Sequence, residues 1–280
     1  MREENIEPIF NLHTHTHLCK HASGKVVDYC QIAADNGLEL LGISDHCPLP
    51  EQNQFCDTRM DPEELDVYKA ELNEAKICFP QLKILTGMEL DYFPKYGLDY
   101  YWDLKKQCEL DYFIGGVHYV FNQKGDLLWR RRGENSKELV NNYIRQAVEM
   151  METGLLDYLT HPDLIGSSID EWTPWVNDAF RELVKTAIKL DIPLEVNAYG
   201  IRKGIIQTAG GPRWRYPVPS FWKMAAEYEP RTVIGADAHS PETLLEEWTT
   251  CRTLLQEVGL TPCNKEIAEK ILKRKDPRKK

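Results

Sequence analysis

Seven short apolar runs recur through the 280 residues, each separated from the next by a stretch of helical periodicity. They are IFNLH (9–13), LELLGIS (38–44), LKILTGMEL (82–90), DYFIGGV (111–117), LDYLT (156–160), IPLEVN (192–197) and TVIGAD (232–237). Several are continuously apolar rather than alternating, the pattern of parallel strands covered on both faces. The spacers open with helix-start chemistry: Asp61 before Pro62, Ser240 before Pro241, and Ser136 ahead of a helix running through Met151. Gly37 and Gly154 are the expected stops. Seven β-then-α units without a linker predict one α/β domain over 1–280, a (β/α) barrel of about seven strands. An open doubly wound sheet is the alternative, but it would gather a site at one switch point rather than at nearly every strand end.

The histidines follow those strand ends. They fall in HTHTHLCKH (13–21), SDH (His46), GVH (His118), THPD (His161) and GADAH (His239), and GMELD around Glu89 keeps the same rhythm. His13 and His15 share one face of an extended chain, as do Asp237 and His239. Asp45 is placed to hold the His46 ring through its other nitrogen. Taken singly, each histidine is better read as a satisfied core or surface residue. Their recurrence at successive strand ends points instead to a metal centre. Seven histidines (His13, His15, His21, His46, His118, His161 and His239) with Glu89 and Asp237 exceed what one catalytic ion takes, so two or three ions with a bridging carboxylate are expected. His17 shares the phase, but the chain turns there, which leaves it open as ligand or loop residue.

Charge and cysteine usage narrow the class. A net charge of −10 argues against nucleic acid or an anionic membrane as partner, and bound divalent cations would offset part of it. The first residues, MREENIEPIF, have no apolar signal core, and no apolar run approaches the ~18 residues that span a bilayer. The cysteines are dispersed without a CxxC pair, as reduced thiols in a cytoplasmic protein would be. Cys19 and Cys47 lie beside candidate ligands and are read as small apolar residues, with a thiolate ligand as the lesser alternative. The basic end at about 273–280 (KRKDPRKK) and the run Arg130–Arg132 are read as solvated.

The ordered packets HTHxxxxxH, SDH, GMEL, VH, THPD and GADAH resemble the metal motifs of the PHP (polymerase and histidinol phosphatase) superfamily over roughly residues 11 to 240. The resemblance implies a distorted (β/α)7 TIM-like barrel with two or three divalent ions (Zn, Mn or Fe) at the C-terminal face of the strands. Carried over, His13, His15, Glu89 and Asp237 hold the first ion, and His21, His46 and His239 the second. His118 and His161 hold the third together with bridging Glu89, and His17 stays outside. Asn11 stands where the family's first motif often begins with Asp, a departure expected to touch only a contact behind the metal.

Size and the segment LEVNAYGIRKG (194–204) are similar to the histidinol-phosphatase branch. The branch implies hydrolysis of L-histidinol phosphate to L-histidinol and phosphate, in histidine biosynthesis, with a metal-bridged hydroxide as nucleophile. It also implies an arginine on the substrate phosphate, and Arg202 is the corresponding position, read as both catalytic and substrate-binding. Arg213 and Arg215 are further candidates, because a guanidinium fork suits phosphate oxygens. For the general acid only Asp163 and His17 suggest themselves. The competing readings are a PHP-type enzyme for another small phosphoester such as a nucleotide, an amidohydrolase, and a non-catalytic metal-binding module. The amidohydrolase would need a strand-end lysine, and the strand ends above carry none; the module would have lost ligands.

Overall fold

The computed structural model describes residues 9–50, 56–128 and 136–275. Arg130–Arg132, the first eight residues and the last five of the basic tail lie outside the described residues. All seven apolar runs form strands: β1 (Phe10–Asn11), β2 (Leu40–Ile43), β3 (Lys83–Leu90), β4 (Tyr112–Gly115), β5 (Tyr158–Leu159), β6 (Leu194–Asn197) and β7 (Thr232–Gly235). They lie in one parallel sheet in chain order, from β1 through β7. Beyond the strand ends, Thr14 bridges Ala238 in parallel and the His15 amide donates to the Ala238 carbonyl at 2.9 Å, which nearly closes the sheet into the expected barrel.

Asn11 stitches that seam. Its Oδ1 accepts from the Ala236 amide across the gap at 3.1 Å and from the His13 amide at 3.2 Å, while its Nδ2 donates to Thr14 at 2.8 Å. The residue at this position thus takes part in barrel closure, through its Oδ1, as well as in local contacts of the first histidine packet.

Alternation along the strands sorts side chains between two interiors. Leu12, Leu40, Leu85, Tyr112, Ile114, Tyr158 and Val233 fill the lumen, and Ile267, Ala268 and Ile271 of the helix Asn264–Lys275 close its lower end. Leu41, Ile43, Met88, Phe113, Val196 and Ile234 face outward into the larger core beneath the surrounding helices. Tyr112 crosses the lumen to donate to the Leu12 carbonyl at 2.8 Å. Gly87 makes room for its ring, since a β-carbon there would lie 2.2 Å from the Tyr112 Cζ. The expected caps are present: Ser136 accepts from the Leu139 amide, and Asp61 and Glu64 form a reciprocal box ahead of the helix Leu65–Cys78. Gly37 and Gly154 adopt the left-handed conformation just past their helices.

Two short additional elements lie outside the barrel strands. Val120–Phe121 pairs with Leu127–Leu128, and Ala198–Arg202 forms a short helix leading into a hairpin of Ile205–Thr208 with Gly211–Trp214. No helix among the described residues is long and apolar enough to cross a membrane.

Candidate metal centre

At the C-terminal face, the extension of β1 carries His13 and His15, the end of β3 carries Glu89, and the residues after β7 carry Asp237 and His239. His13 Nε2, His15 Nε2, Glu89 Oε2 and Asp237 Oδ1 enclose a small space: the imidazole pair is 3.1 Å apart, and the carboxylate oxygens lie 3.2–3.5 Å from them. Four ligands at 2.0–2.1 Å around a tetrahedral ion stand about 3.3 Å from one another, so the spacing fits zinc-like coordination. The two carboxylate oxygens are buried and lack a hydrogen-bond partner among the described residues. Burying such oxygens unsatisfied is costly, and a cation removes the cost. Asp237 and His161 also sit at positive φ, 48° and 27°, strain of the kind that clusters at functional sites.

Glu89 faces two ways. Its Oε2 turns to His13, His15 and the His46 Nδ1 (3.1 Å), and its Oε1 to the His161 Nε2 (3.0 Å) and, further out, the His118 Nε2 (3.7 Å). Across the centre, His21 and His239 approach through their Nε2 atoms at 3.0 Å, and with His46 they form a group that could hold an ion. Their Nδ1 atoms are turned to the carbonyls of Cys19 and Asp237. The Nε2 lone pairs are therefore left to face each other.

The electrostatics of the centre reflect this crowding. Burial would lower the His13 imidazole, yet the carboxylates of Glu195, Asp237 and Glu89 raise it well above its usual range. Burial would raise Glu89 and Asp237, yet His13 and the neighbouring imidazoles hold both well below theirs. His239 goes the other way: burial, then the charge of His15, push it down to about 3. At His239 and Asp237 the neutral imidazole beside an ionised carboxylate is the protonation pattern a divalent ion requires of its ligands.

Behind the ligand atoms stand residues that the sequence reading missed. Glu195, fully buried in β6, accepts from the His13 Nδ1 at 2.8 Å and from Asn197 at 2.7 Å. Asn197 in turn donates to Asp237 Oδ2. Asp91 receives the His118 Nδ1 at 3.1 Å and its amide at 2.9 Å. The signal for Glu195 and Asn197 was present: two polar residues, two apart, within an otherwise apolar strand. Asp45 was expected to hold His46, but it accepts the amide and hydroxyl of Thr16 and lies 4.0 Å from the His15 Nδ1. It braces the first histidine packet instead.

The cavity over this cluster measures about 300 Å³. Beside the candidate ligands it is lined by Leu164, Ser167, Tyr199, Lys203, Arg215 and Tyr216. Of the arginines expected to bind substrate, Arg215 lines the cavity and Arg202 does not. The short helix turns the Arg202 guanidinium away, to donate to the carbonyls of Ala236 (2.7 Å) and Asp237 (3.0 Å). It supports the backbone of Asp237, and the next residue, Lys203, reaches the cavity in its place.

Arg213 is also withdrawn. It donates to the carbonyls of Gly166, Ile169, Trp214 and Arg215, latching the hairpin onto the segment after His161. Replacing Arg213 with alanine is therefore expected to lower stability by about 1–3 kcal/mol through stranded carbonyls. Denaturant unfolding will measure it, and an unchanged midpoint would refute the latch.

The two candidates for a general acid lie elsewhere as well. His17 points away to Glu71 at 2.9 Å, and the buried Asp163, pushed up to about 6 by burial, accepts the Val218 amide. Neither lines the cavity. Cys19 lies within ligand reach of His15 and His239, but burial pushes its thiol up, which disfavours the thiolate.

A nearly closed seven-stranded parallel barrel that gathers imidazoles and carboxylates at its C-terminal face defines a metal-type β/α barrel. The chain belongs to the PHP domain family, whose model matches residues 11–199. It is 29% identical over 239 residues to a protein of Deinococcus radiodurans named a probable histidinol-phosphatase, covering 82% of this chain and 85% of that one. A protein of Schizosaccharomyces pombe with the same description is 24% identical over 273 residues, covering 89% and 86%. In fold, the chain is similar to the crystal structure of histidinol phosphate phosphatase from Lactococcus lactis, complexed with zinc, L-histidinol and phosphate. The TM-score is 0.67 at 15% identity, covering 90% of this chain and 94% of that one.

Proposed function

We propose that this chain, acting as one domain, is a metal-dependent phosphomonoesterase whose substrate is L-histidinol phosphate. The observation that carries the reading is Glu89, with one oxygen toward each of two imidazole groups, the geometry of a carboxylate bridging two cations. His13, His15, Glu89 and Asp237 would hold one ion, His21, His46 and His239 a second, and His118, His161 and Glu89 a third. When bound, such ions polarise a phosphoryl oxygen and make a water nucleophile available at neutral pH.

The remaining work falls to the walls. Water contributes a hydroxyl to phosphorus, the bond from phosphorus to the ester oxygen breaks, and the leaving alkoxide takes up a proton. Arg215 and Lys203 supply positive charge at the rim for phosphate oxygens, the guanidinium as a fork and the ammonium as a point charge. Tyr199 stacks on His239 at 4.4 Å and, with Tyr216, bounds a space suited to a small ester. Arg215→Ala is expected to raise KM about tenfold or more while bound metal stays constant, the signature of a group that holds substrate. A wild-type KM in that variant would move phosphate recognition elsewhere.

The central test joins metal content to kinetics in one preparation. Histidinol phosphate should be turned over ahead of a panel of other phosphomonoesters and diesters. A strong chelator should abolish that turnover, and added Zn, Mn or Fe should restore it. Full activity in a verified metal-free sample would overturn the metal reading. Faster turnover of a nucleotide would overturn only the substrate.

A further inference from the structure

We infer that Arg59 is a positioning residue that, through Asp91, fixes the His118 end of the centre. This rests on the metal-binding reading proposed above and goes beyond it by assigning a role to a residue remote from the ligand atoms. Arg59 precedes the helix Leu65–Cys78, is only 3% exposed, and does not line the cavity. Its side chain bridges two of the histidine packets. One terminal nitrogen donates to the Cys47 carbonyl at 3.0 Å, one residue past His46, and the other donates to Asp91 Oδ2 at 3.0 Å. Asp91 lies two residues past Glu89 and receives both the amide and the Nδ1 of His118.

Each link removes one freedom. A carboxylate facing Nδ1 places the imidazole proton there and leaves the Nε2 lone pair directed at the Glu89 Oε1 side. That carboxylate could still swing about its own axis, but the Arg59 guanidinium fixes Oδ2. The face of Tyr119, 5.6 Å from the guanidinium carbon, confines Arg59 in turn. Buried ion pairs contribute little net stability, because desolvation offsets most of the attraction. The pair is better accounted for by geometry: a guanidinium has enough donors to hold the loop after His46 and the carboxylate behind His118 at once, whereas a lysine would hold one of them well.

The test is zinc titration of the chelator-stripped full chain by competition with a chromophoric chelator, alongside 15N NMR of the histidine rings. Wild type should take up more than one equivalent and show His118 protonated at Nδ1. Asp91→Asn and Arg59→Met should each weaken one equivalent about tenfold or more and leave the others in place. The double variant should be no weaker than Asp91→Asn, because Arg59 acts through Asp91. Arg59→Lys should recover part of the loss. If Arg59→Met fails to fold around an orphaned carboxylate, Arg59→Lys, which keeps a positive charge beside Asp91, gives the reading through its partial loss of the same equivalent. Wild-type affinities in the Arg59 variants, equal weakening of every equivalent, or an unaltered His118 tautomer would each overturn the proposal. Absence of zinc uptake by wild type would instead remove the metal reading beneath it.

Discussion

Glu89→Gln will lower kcat on the order of a thousandfold or more and release bound metal, while leaving the fold intact. The amide has nearly the same shape, so packing against Thr160, which donates to Oε1 at 2.8 Å, can persist. What disappears is a negative charge shared by two imidazole groups, and among the described residues no other carboxylate pairs with both. Metal analysis and circular dichroism on the same sample separate loss of ions from loss of structure. His17→Ala is the matched control: its ring is turned to Glu71, so metal content should not change. A Glu89→Gln protein that keeps its full complement of ions would remove the bridge from the mechanism.

The second large effect falls on Glu195, which does not line the cavity over the centre. Glu195→Gln should weaken metal binding by about 10–100-fold, because the His13 Nδ1 loses the anion that orients and polarises it. Glu195→Ala should in addition destabilise the protein by about 3 kcal/mol, since a buried charged partner network is broken. Space for this carboxylate is created opposite, where a β-carbon on Gly235 would stand 2.0 Å from Glu195 Oε2. Gly235→Ala should therefore reproduce the metal defect without altering a polar group. Metal titration and urea unfolding distinguish the two contributions, and wild-type affinity in Glu195→Gln would place the orientation of His13 elsewhere.

Sequence reading reached the seven strands because parallel strands covered on both faces leave long apolar runs. It reached the gathered imidazoles and carboxylates because a barrel delivers strand-end residues to one face. It failed where the answer depends on phase within short irregular elements. Arg202 and Lys203 are adjacent, and only the five-residue helix Ala198–Arg202 decides which of them turns back to β7 and which faces the cavity. Asp45 failed for a related reason. Its nearness in sequence to His46 suggested a partnership, whereas its carboxylate reaches across to Thr16 on the neighbouring strand extension. Arg59 gave no signal, since a buried arginine reads as an ordinary surface one until its partners are seen.

The helix Asn264–Lys275 gives the barrel a direction in time. Asn264 donates to the carbonyls of Phe10 and Ile234 and accepts the Ile234 amide, and Ile267 and Ile271 fill the lumen below. These residues leave the ribosome after every strand has been made, and so do Asp237 and His239 after the first histidine packet. Until they arrive, the early strands carry an open seam and an unfilled interior, and the group of His13, His15, Glu89 and Asp237 lacks one of its two carboxylates. Completion of the floor and completion of the metal centre are thus both events of the finished chain.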